Sequence, residues 1–136
     1  MKTKLRRFMK MAVVIIVLLW VIWSNITVGT TYYTVLSDRI PASFEQYKIA
    51  VVSDLHNAGF GKNNSYLLSV IEKEQPNIIA ITGDLVDSGK TNMEVAESLV
   101  RELAMIAPCY YVPGNHEAWI GSGYQELERS FLMPVL

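Results

Sequence analysis

The sequence predicts an α/β fold built on a parallel sheet and preceded by a transmembrane helix, and three observations predict it. Three short apolar runs, Lys48 to Ser53, Asn77 to Thr82 and Cys109 to Val112, suit buried strands. Two amphipathic stretches separate them, so the order is strand, helix, strand, helix, strand, which implies right-handed parallel crossovers. Ahead of all this, an almost unbroken apolar run extends from Met11 to Trp23.

Lys2, Lys4, Arg6, Arg7 and Lys10 precede the apolar run, and beyond it the next charge is Asp38. Taken as one helix, Met9 to Val28 gives roughly 20 residues and about 30 Å, enough to cross a bilayer core. Lys10 can snorkel to the headgroups, while Trp20, Trp23, Tyr32 and Tyr33 suit the opposite interface. The competing reading is a cleaved signal peptide, but Ser24 to Gly29 offers no A-x-A-like site. Under either reading the positive-inside rule keeps the amino terminus cytoplasmic and sends the rest across. The expected organisation is a basic cytoplasmic tail (1–8), a transmembrane signal anchor (9–28), a linker (29–45) and one extracytoplasmic domain (46–136).

At 136 residues the chain suits one domain. A formal net charge of -1 argues against a nucleic-acid platform, which needs a basic face to neutralise phosphates. Cys109 is the only cysteine, which excludes a CxxC-type zinc or redox site. It reads as a small residue buried at the start of a strand.

Along the domain, Lys48 to Ser53 ends in Asp54. Asn63 or Asn64 can cap a helix from Ser65 to Glu74, with Leu67, Leu68 and Ile71 inward and Pro76 closing it. The next helix begins near Thr91, because Thr91-Asn92-Met93-Glu94 fits a capping box. It continues to Ile106 with Ala96, Leu99, Val100 and Leu103 as its apolar stripe, and Pro108 ends it. A further helix is expected over Tyr124 to Phe131.

Three polar clusters follow the three strands: Asp54-Leu55-His56, Gly83-Asp84 and Gly114-Asn115-His116-Glu117. In a parallel sheet the carboxyl ends share one edge, which is where ligands bind. The clusters supply carboxylates, imidazole and an amide oxygen, a donor set that suits Mn, Fe or Zn. Alternation predicts that Asp54 and His56 point the same way while Leu55 faces the core. Gly83 and Gly114 permit tight turns. Gly83 to Thr91 also resembles a Walker A loop, but its spacing is one residue too long, and Asp84 and Asp87 would put negative charge in a phosphate cradle.

DLH, GD and GNHE, in this order and each after a strand, resemble the first three signature blocks of the calcineurin-like metallophosphoesterases. The likeness spans Lys48 to Glu117, and the anchored amino end resembles a bacterial, envelope-facing branch of the family. The resemblance implies the parallel-sheet half of an αββα sandwich, two divalent transition-metal ions and a phosphomonoester or phosphodiester substrate. It implies that Asp54 and His56 bind the first metal, Asp84 bridges both and Asn115 binds the second. His116 would serve the leaving-group oxygen, Glu117 would orient His116, and a metal-bridging hydroxide would attack.

The family's later Gly-His and Gly-His-x-His blocks have no counterpart here, since the chain's two histidines are His56 and His116. The second sheet is likewise expected to be missing, and Phe131 to Leu136 reads as an apolar ending cut within the fold. Two functional readings follow. One is a metallophosphoesterase whose short chain hydrolyses phosphodiesters poorly or not at all. The other is an inactive, membrane-tethered remnant that binds one metal or a partner.

Overall fold

The computed structural model describes residues 2–121 and residue 125. The helix expected over Tyr124 to Phe131 and the apolar ending lie outside the described residues. The chain divides into two compact units, Met1–Thr30 and Thr31–Leu136.

The first unit is one helix, α1 (Lys2–Ile26). It takes the basic cluster into its first turns, and its 23-residue stretch Lys4–Ile26 is long and apolar enough to cross a membrane, with none of its apolar window buried in the protein. Polar side chains close its carboxyl end. The Ser24 hydroxyl and the Asn25 amide both donate to the Val21 carbonyl, at 3.0 and 2.7 Å, and the Thr27 hydroxyl donates to that of Trp23. These bonds fold the polar groups back onto the helix's own backbone.

In the second unit the chain runs β1 (Ile49–Val52), α2 (Ser65–Glu74), β2 (Ile78–Ile81), α3 (Met93–Ile106), β3 (Cys109–Tyr111) and α4 (Asn115–Trp119). The three strands are parallel in the order β1-β2-β3. Successive right-handed crossovers that step in one direction put both connecting helices on the same face. Register fixes which residues meet them: Val52, Ile81 and Tyr111 align across the sheet, as do Ala50, Ile79 and Cys109. Ile79, Ile81 and Leu103 are fully buried, with Leu67, Ile71, Leu99 and Val52 around them.

Among the described residues the strands are covered on one face only, in keeping with the expected lack of a second sheet. Ile49, Val51 and Tyr110, on the alternate register, are 56%, 66% and 62% exposed. An apolar run reports that a strand is apolar, not that both faces are covered.

Two caps are corrected as well. The side chain that caps α3 is Asn92, whose Oδ1 accepts from the Val95 amide at 3.4 Å. Thr91 instead donates its hydroxyl to the Asp87 carbonyl at 3.0 Å. Asn64 stands at the start of α2 but makes no capping bond; its buried side chain accepts from the Phe60 amide at 2.9 Å. Cys109 begins β3 half-buried, and burial pushes its thiol pKa up.

Candidate metal centre

The three loops leave the sheet at one edge and stay in register beyond it. Asp54, His56 and Asn57 donate their amides to the carbonyls of Gly83, Asp84 and Leu85, at 3.1, 2.9 and 2.9 Å. Strand pairing has already ended, because Asp54, His56 and Asn57 have φ of 56°, 46° and 61°, and Asp84 has 52°. Side chains at such angles are uncommon and carry a steric cost that the surrounding contacts must offset. The expected alternation of Asp54 and His56 across a pleat is therefore corrected. The two side chains do converge, with His56 Nε2 3.9 Å from Asp54 Oδ1, but a left-handed turn brings them together.

The Gly83–Asp84 loop lies against the Gly114 turn with no room for a side chain between them. A Cβ on Gly83 would stand 2.5 Å from Gly114 Cα, and one on Gly114 would stand 2.6 Å from the Asp84 amide nitrogen. Gly83 also has φ of +89°, a left-handed value that only glycine adopts without strain. This close approach lets Asp84 Oδ1 accept from the His116 amide at 2.8 Å.

Glu117 is fully buried, and its carboxylate binds backbone. Oε2 accepts from the amides of Asp84 and Gly114 at 2.7 and 2.9 Å. Oε1 accepts from those of Leu85 and Val86 at 2.7 and 3.3 Å. One side chain thus fastens the Asp84 loop to the Gly114 turn. The His116 ring is held by Ser88, whose amide donates to Nδ1 at 3.1 Å and whose hydroxyl lies 3.2 Å from the same nitrogen.

His56 and His116 meet edge to face with ring centroids 4.5 Å apart, and Trp119 lies 5.0 Å beyond His116. Among the described residues, two sets of side chains bring potential metal-ligand atoms within 4.8 Å of one another: Asp54, His56 and Asp84, and His56, Asp87 and His116. Carboxylate oxygen and imidazole nitrogen at that spacing fit a divalent transition-metal ion. Asn115 is exposed at the start of α4, between Gly114 and His116, both of which contact the Asp84 loop.

Asp87 and Ser88 are the residues that sequence reasoning missed. In the sequence Asp87 stands out only as a charge unfit for a phosphate cradle. Its signal was available in its position three residues after Asp84, within the loop that follows β2.

Fold and donor set together define a class: an α/β protein with a candidate divalent-metal centre at the carboxyl edge of a parallel sheet. The chain belongs to the calcineurin-like phosphoesterase family, whose model matches residues 47–135. It is 31% identical over 91 residues to an uncharacterized metallophosphoesterase of Aquifex aeolicus, covering 65% of this chain and 34% of that protein. It is 30% identical over 82 residues to a transmembrane protein with metallophosphoesterase domain from Bos taurus, covering 58% of this chain and 18% of the relative. To the uncharacterized metallophosphoesterase YkuE of Bacillus subtilis it is 28% identical over 94 residues, 66% of this chain and 33% of that one. The chain thus spans about a third of the length of the two bacterial relatives. No solved structure matches it. The apolar helix and the transmembrane relatives together point to membrane association.

Proposed function

We propose that the chain supplies the amino-terminal half of a binuclear metal site in a membrane-held hydrolase of phosphomonoesters or phosphodiesters. The observation that carries this reading is the approach of Asp54, His56 and Asp84 ligand atoms to within 4.8 Å. Asp54 and His56 would hold one ion, Asp84 would lie between both, and Asn115 would reach the second. Mn, Fe or Zn in these positions supplies Lewis acidity toward the phosphoryl oxygens and acidifies water.

The protein's own residues set the geometry. Glu117, by gathering four backbone amides, fastens the Asp84 loop to the turn that leads into Asn115. His116, with Nδ1 turned to Ser88, is free to present Nε2 to the leaving-group oxygen and to stabilise charge or deliver a proton there. The helix α1 would act as a signal anchor, with the basic residues cytoplasmic and the phosphoesterase portion outside.

The test uses the full chain in detergent. Mn(II) should bind with an affinity that Asp84→Ala weakens at least about tenfold. Turnover of a chromogenic phosphodiester, however slow, should follow Mn(II) occupancy and disappear in the same variant. Binding that Asp84→Ala leaves unchanged would overturn this reading.

A further inference from the structure

Asn57 directly follows His56, and none of the signature blocks includes it. Its backbone amide donates to the Leu85 carbonyl at 2.9 Å. Its carboxamide spends both ends on the far side of the same loop: Nδ2 donates to the Lys90 carbonyl at 2.8 Å, and Oδ1 accepts from the Asn92 amide at 3.3 Å. One residue therefore grips the segment 85–92 at its beginning and at its end. Inside that segment lie Asp87, clustered with His56 and His116, and Ser88, which holds the His116 ring.

The chemistry suits asparagine. The grip needs a donor and an acceptor on separate atoms of a short side chain: aspartate lacks the donor, leucine lacks both, and serine's single oxygen would have to serve both partners. It also needs a residue that accepts left-handed backbone, here φ of 61°, where asparagine is several-fold enriched. The segment's own bonds do not replace the grip. Gly89 and Lys90 donate to Asp87 at 2.8 and 3.2 Å, and Thr91 bonds the Asp87 carbonyl, so these shape the turn without attaching it to the His56 loop.

We propose that Asn57 is a positioning residue: its carboxamide locks the loop carrying Asp87 and Ser88 against the loop carrying His56, and so sets where the His116 ring stands in the metal centre. The proposal rests on the functional reading above only for the identity of the centre. The mechanical claim stands or falls separately.

The test compares Asn57→Gly, which keeps the left-handed backbone and removes the carboxamide, with Asn57→Asp, which keeps the acceptor and loses the donor. With only two histidines in the chain, both imidazoles are resolvable by NMR of the metal-free full chain in micelles. In both variants the His116 ring signals and the Ser88 amide should move by more than a line width, while the amides of buried Ile79 and Leu103 stay in place. Co(II), titrated into the full chain, should bind about tenfold more weakly to Asn57→Gly, in the range found when groups that orient ligands are removed. Unmoved His116 and Ser88 signals would overturn the proposal. So would displacement of the core amides in both variants, since Asn57 would then serve the fold at large. If the wild-type chain binds no Co(II), the metallophosphoesterase reading fails, and the imidazole signals still decide the role of Asn57.

Discussion

Four backbone amides converge on the carboxylate of Glu117, and replacing one oxygen by NH2 would set donor against donor. Hydrogen bonds to a charged group contribute about 1.5–3 kcal/mol each, and buried amides left unpaired add a penalty. Glu117→Gln should therefore lose at least about 2 kcal/mol of stability in urea unfolding, although the two side chains are nearly isosteric. Glycine at 83 makes a second residue-scale test. Gly83→Ala meets both a φ of +89° and the Gly114 backbone, so its thermal midpoint should collapse; Gly59→Ala, with nothing within 4 Å, should leave the midpoint in place. That Gly-Asn-His-Glu lies beside the Asp84 loop was legible in the sequence, but the backbone partners of Glu117 were not. Its amide partners at 84, 85 and 86 lie 31 to 33 residues away, and no local pattern reports which backbone groups a fold will leave unpaired.

Each strand and helix expected between Lys48 and Val112 is present, because apolar periodicity and the punctuation by proline and asparagine agree there. The start of α3 shows where such reading ends. Thr91 and Asn92 are both good caps, and the T-x-x-E spacing favoured the first. The Asp87 carbonyl recruits the Thr91 hydroxyl, leaving Asn92 to cap. Asn92→Ala should thus cost about 1 kcal/mol in urea unfolding. Thr91→Ala, an exposed change, should cost about 0.5 kcal/mol or less. Reversal of that order would restore the capping box. Sheet coverage was legible only through the missing second sheet, not through the strands themselves. Whether Ile49, Val51 and Tyr110 are covered depends on what packs outside β1–β3, which their own sequence does not encode.

At the scale of the whole molecule, α1 as the proposed anchor would set which compartment the site occupies. The basic residues lie at its amino end, so the region after Ile26 should be cut by protease added to intact spheroplasts, while a tag before Lys2 should survive. Protection of the carboxyl-terminal region would reverse the topology. The Glu117 clamp has a consequence in time as well as in space. Asp84, Leu85 and Val86 leave the ribosome more than thirty residues ahead of the carboxylate that binds their amides. Closing a loop of that length costs entropy before any bond repays it. The nascent chain therefore carries the Asp84 loop for a while without the clamp that fastens it to the Gly114 turn. On the proposed function, a metal ion would meet the fastened arrangement only after Glu117 has emerged and docked.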